Sequence, residues 1–268
     1  MTNVVFKQPP LVEIVAEIRW DITGQPVLPP QHAGTPFLVQ DGSAHEAHFM
    51  SFTSKAGANG FGLIERVVPS GFPLLAHQVA FRFRKNPQTE GAPLFQIGPG
   101  IFTANISPPY KSWETFLPFI ELGLEMLFDS RADADKDTKV SNVRLRYIDA
   151  FGENFRNGKS ISNFLREVLG VKIELPESVM KFCSNKEEIK PAISVTMPID
   201  IGDMEFKIAN GWVRNMPSLV MDTTIICKGP LDPTKQAILK KLNAAHDVIH
   251  ESFVGMTVPI HELMEKQS

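Results

Sequence analysis

Near the end of the chain the segment HDVIHE places His246 and His250 one helical turn apart, with Asp247 and Glu251 beside them. Two imidazoles at that spacing share a helix face, so they can chelate a metal or divide acid and base roles between them. One reading is therefore a hydrolase-type enzyme that uses His246, Asp247 and His250 as its catalytic group. The metal-assisted version departs from the known pattern. A zinc-peptidase helix carries glutamate directly after its first histidine, and Asp247 stands there instead. The sequence thus predicts no metal site, with the two rings packed at the edge of an apolar helix face. His32, His45, His48 and His77 form a second, scattered set in an irregular region and match no recurrent ligand spacing. Cys183 and Cys227 each stand alone, which argues against zinc, a redox pair or a disulfide. No Gly-x-Ser-x-Gly elbow is present, and no cofactor is expected.

A different chemistry is suggested by the strands. Glu13, Glu17, Arg19, Arg82, Arg84, Arg144 and Arg146 all alternate with apolar residues, so each falls on the face opposite the apolar one. The plain interpretation is a solvated outer face with cross-strand ion pairs, each contributing about 0.2–1 kcal/mol. The functional interpretation makes Arg82, Arg84, Arg144, Arg146, Glu13 and Glu17 a ligand-binding surface. Its guanidinium forks would suit a small anionic ligand or a protein partner. A third reading pairs such faces between two copies in a homo-oligomer. Nucleic acid is not expected, because the formal net charge is −3 and the strand aromatics fall on the apolar face.

These residues need elements to hold them. LVEIVAEIRW sets Val12, Ile14, Ala16, Ile18 and Trp20 against the charges and reads as a strand. Residues 21–48, rich in Pro, Gly and His, read as a long excursion with one short strand. FGLIERVV, QVAFRFR, VSNVRLRYIDAF, AISVTMPIDI, MEFKIANGW and SLVMDTTIICK read as further strands. In FQIGPGIFTANI, Gly98-Pro99-Gly100 is followed by another β-type run. Phosphate loops open onto a helix, so this one reads as a turn or bulge between strands. A helix is predicted to begin at Ser112, with Phe116, Ile120, Leu124 and Phe128 on its core side and Pro118 bending its first turns. Residues 160–169 read as a short amphipathic helix. A last helix is predicted after an Asp232 N-cap and Pro233, with Ile238, Leu242, Ala245, Ile249 and Phe253 facing the core.

The 268 residues, 43% hydrophobic and 21% charged, are ordinary globular material. Strands grouped before long helices predict an α+β fold, an antiparallel sheet with long amphipathic helices on one face. The order suggests two similar strand-strand-strand-helix halves: residues 1–150, ending in the LRYID strand, and residues 151–268, ending in the long helix. One continuous domain is the alternative. With no leader pattern and no run of apolar residues long enough for a bilayer, the expectation is a cytoplasmic protein without membrane association.

Four segments also carry a likeness: PPLVEIVAEIRW, then FQIGPGIFTANI leading through PPYKSWETFLPFI, then VRLRYIDAF, and AAHDVIHESF. Over nearly the whole chain the sequence resembles a sporadically distributed family of uncharacterised bacterial and archaeal proteins of about this length. The resemblance is most specific at Tyr110-Lys111-Ser112-Trp113 and Leu145-Arg146-Tyr147-Ile148-Asp149. It implies no activity, since no reaction or catalytic residue is established for that family. On residues alone, the expected function is a ligand- or protein-binding module that uses the Arg/Glu-bearing sheet face.

Overall fold

Alternation of apolar and charged residues produces the sheet that organises the chain. The structure is a computed structural model and describes residues 4–22, 42–85, 93–131 and 136–265. Its strands are β1 (Leu11–Trp20), β2 (Leu63–Arg66), β3 (Phe81–Arg84), β4 (Leu94–Gly98), β5 (Ile101–Ile106), β6 (Val140–Phe151), β7 (Ile193–Ile199), β8 (Gly202–Val213) and β9 (Met216–Leu231). They form one nine-stranded sheet in the order β2-β3-β4-β5-β1-β6-β9-β8-β7, and all its pairings are antiparallel. The α+β expectation holds.

Three long helices, α1 (Gly42–Ala58), α2 (Trp113–Ser130) and α6 (Lys235–Thr257), pack on the apolar face. Short helices α3 (Glu153–Arg156), α4 (Ile161–Glu167) and α5 (Glu177–Met180) follow β6. The sheet runs without a break from the first 150 residues into the remainder. Outward from the central β1–β6 pair the order reads alike on both sides, β1 meeting the last strand of one meander and β6 the last strand of the other.

Helix α1 was not expected from the sequence, which places His45 and His48 in an irregular segment. Only Phe49, Phe52 and Ala56 give it an apolar stripe, and all three are fully buried. Phe52 packs against Phe83, Phe95 and Phe102, and Phe49 against Phe81. Tertiary burial of two phenylalanines stabilises a segment whose own glycines, serines and histidines favour the helix weakly. The short strand expected upstream, like His32, lies outside the described residues.

Helix α2 runs through Pro118, and its N-cap is Ser112 as expected. The cap of α6 differs: Thr234 accepts from the Ala237 amide, so Asp232 and Pro233 both precede the helix. Asp232 instead pairs with Lys139 at 2.5 Å. The Gly98-Pro99-Gly100 segment is the expected turn. Gly98 pairs with Ile101, and Gly100 has φ 70° while its carbonyl accepts from the Trp20 amide at 3.0 Å.

Gly123 marks where α2 lies closest to the sheet. A Cβ there would come within 2.5 Å of Phe95 and 2.6 Å of Phe102. Phe95 also stacks on Phe119 at 4.1 Å, and Phe102 packs against Phe95 at 5.7 Å. Gly123→Ala, although it favours helix, is expected to lower stability by about 1–3 kcal/mol through overpacking, measured by urea denaturation. An unchanged or raised midpoint would show that the layers can part at no cost.

Candidate functional site

The densest chemistry lies under the helices, where the apolar stripe of β6 ends in polar residues. Val143, Leu145, Tyr147, Asp149 and Phe151 share one face of this strand by its two-residue period. The first two are core. Tyr147 and Asp149 continue the same line into a cavity of about 90 Å³, which is room for several waters or a small organic molecule. A register irregularity between Leu11 and Glu13 lies directly opposite, with Leu11 paired to Asp149 and Glu13 to Ile148. Val12 is the extra residue. The bulge therefore turns Leu11 toward the helices, and Leu11 is buried while Val12 is only half-buried, which corrects the expected alternation. The chain before it, Val4 to Pro9, covers the cavity, held by hydrogen bonds that the Lys7 and Gln8 amides donate to the carbonyls of Glu265 and Met264.

Helix α6 supplies the second wall. Tyr147 Oη lies 2.8 Å from His246 Nδ1, and Tyr110 is hydrogen-bonded to Tyr147 in turn. Trp113 stacks flat on the His246 ring at 4.6 Å and 7°, while its indole N–H donates to Asn243 at 2.7 Å. This contact and the Tyr147 bond fix the His246 ring. His250 follows one turn later with its ring 5.5 Å from His246, and its buried Nε2 has no hydrogen-bond partner. Lys111 and Glu114 stand exposed at the rim.

Burial sets the protonation states. It pushes the Asp149 carboxyl up to about 7, with no hydrogen bond to hold the charge. Asp149 is only 4% exposed. His246 is pushed down to about 4, by burial first and His250 second, with Glu114 opposing. Burial also lowers His250 and raises Tyr147 and Tyr110. At neutral pH the site therefore holds neutral imidazoles, neutral phenols and a carboxyl near its midpoint, a set able to give or take a proton.

Asp247, the third member of the expected catalytic group, does not join it. It is exposed and lines a different, open cleft between α2 and α6 with Leu117 and Asn243. His246 and His250 do converge. Among the described residues no three His, Cys, Asp or Glu come together to hold a metal.

The six expected ligand-binding residues lie on the opposite face, away from α1, α2 and α6. There Arg144 and Arg19 both reach Glu17, at 3.5 and 2.6 Å. Arg146 makes a two-point contact with Asp222, at 2.9 and 2.6 Å. A polar chain crosses four strands from Arg82 to Gln96, from there to Thr103 and Asn105, and on to Glu13. Arg84 shares that face beside Arg82 on β3. None of these residues lines the cavity under the helices.

The sequence reading missed Asp149, Tyr147, Tyr110 and Trp113. The available signal was Asp149 itself, an acid at an inward position of an otherwise apolar alternation.

No protein-family model matches the chain, and no curated protein matches it. Among solved structures, a Methanococcus jannaschii TBP is 13% identical with a TM-score of 0.25, over 91% of this chain and 99% of that one. Among the described residues no helix is long and apolar enough to cross a membrane.

The two shifts act on stability with opposite signs. Native Asp149 keeps its proton to about pH 7, whereas the unfolded acid loses it near 4, so folding weakens as pH rises through that window. Native His246 stays neutral down to about pH 4, so its contribution strengthens as pH rises toward 6.5. Comparing variants separates them. Asp149→Asn is expected to gain about 3–4 kcal/mol relative to the parent between pH 4 and pH 8, read from urea unfolding at each pH. A difference that does not change with pH would mean that the carboxylate is compensated.

Proposed function

We propose that this protein binds a small molecule in the cavity between β6, α2 and α6, at a site equipped to exchange a proton with what it binds. One observation carries the reading: Asp149 is almost fully buried, has no hydrogen-bond donor of its own and lines a mainly apolar cavity. A buried polar group without a partner is costly, and such groups concentrate where a ligand completes them. The Tyr110–Tyr147–His246 chain beside it supports the same reading, because it supplies ordered donors and acceptors on one wall. This replaces Asp247 with Asp149 in any acid–base role alongside His246. Loss or gain of a proton by Asp149 near neutral pH is then the chemistry the site can perform.

The arginine-bearing face is the weaker candidate for a ligand surface. Arg144, Arg146 and Arg82 are already engaged by Glu17, Asp222 and Glu65. A ligand anion would have to displace these internal carboxylates, and it would gain only the small difference between two exposed ion pairs.

A fragment screen by NMR separates the two. Val5→Trp fills the cavity from the covering segment, and Arg144→Ala with Arg146→Ala clears the outer face. Fragments that bind the parent are expected to lose roughly tenfold or more in affinity in Val5→Trp and to keep it in the arginine double variant. The reverse pattern would move the site to the sheet face.

A further inference from the structure

The cavity's interior is unusual in its charge. Asp149 is the acid inside it, and no arginine or lysine contributes to its titration. Glu114 at the rim adds to the negative field, since it raises the proton affinity of Tyr110, Tyr147, His246 and His250 together. Lys111 shares that rim. The remaining wall is largely aromatic, with Tyr110, Trp113, Phe6 and Phe253 around the same space, and ring faces attract cations. His250 Nε2 is buried without a partner, an acceptor waiting for an N–H in the tautomer that leaves it bare. A divalent metal is a poor fit, because among the described residues no three ligating side chains converge.

We propose that the cavity takes a small organic cation, a primary alkyl- or arylammonium, whose N–H groups are received by Asp149 and His250 while its carbon skeleton lies among the aromatic rings. The proposal rests on the reading of this cavity as a small-molecule site. It assigns that site the opposite ligand charge from the one that the arginine face suggests. An ammonium would supply the hydrogen bonds that Asp149 lacks and would favour its ionised form. Binding below about pH 7 must then release a proton from Asp149.

Calorimetry with butylammonium, butanol and butyrate, which share a skeleton and differ in head group, tests the assignment. The expected result is that butylammonium binds most tightly and that its affinity rises from pH 5 to pH 8 with proton release. Asp149→Asn should weaken it about tenfold to a hundredfold, and circular dichroism should show that the fold is kept. Tighter binding of butanol or butyrate, lost in Val5→Trp, would overturn the cation and leave the cavity as a site. No binding by any of the three at millimolar concentration would overturn both. Butylammonium binding that is equal in the parent and Asp149→Asn would overturn the assignment of Asp149 as its receptor.

Discussion

The structure turns on one buried carboxyl. Asp149 occupies a position that β6 gives otherwise to Val143, Leu145 and Phe151, on the face that three helices cover. A carboxylate taken out of water without a donor costs several kcal/mol, so the surroundings determine its state. They keep it neutral over most of the acid range, pushed up to about 7. The same dry surroundings hold His246 neutral, pushed down to about 4. Burial has thus inverted the usual order, raising the acid to about 7 and lowering the base to about 4. Titratable groups whose surroundings set their proton affinities apart are what a proton-exchanging site requires.

The elements around the two residues hold them in place. Strand β6 is central, flanked by β1 and β9, and therefore rigid at the point where Tyr147 and Asp149 project. The bulge at Val12 pairs Leu11 with Asp149, and both line the cavity. Trp113, at the first turn of α2, lies flat on His246 and ties itself to Asn243 of α6, so the two helices are joined at the site. Phe6 packs against Phe253 and His261, securing the covering segment to the end of the chain. The opposite face of the sheet is built differently. Its charges neutralise each other across strands, Arg146 with Asp222 and Arg144 with Glu17, as suits a polar sheet face.

Much of the architecture was legible in the sequence, because period-two alternation and period-3.6 stripes report directly on burial. The strands around FQIGPGIFTANI, the Ser112 cap and the last three strands all follow from it. Helix α1 was not legible, since Phe49 and Phe52 mark only a short stripe and the helix depends on the sheet's phenylalanines to form. The cap of α6 lies at Thr234 and not at Asp232, whose carboxylate is paired with Lys139, ninety-three residues away. The site was half legible: the His246 and His250 spacing pointed to it, but local sequence suggested Asp247 as the acid. Adjacent residues on a helix point in different directions, so an acid sharing the cavity with His246 had to come from another element. The inward position of Asp149 in the alternation Val143, Leu145, Tyr147 carried that information, and its meaning depends on the helices that cover β6.

The central claim is that Asp149 is a buried, uncompensated carboxyl, and the most direct test is to watch it titrate. Protein labelled with 13C at aspartate side chains, with Asp149→Asn to assign the signal, should show a carboxyl carbon that shifts with a midpoint near 7. A midpoint at or below about 4, the ordinary range for an aspartate, would show that Asp149 is solvated or already paired, and would contradict the account.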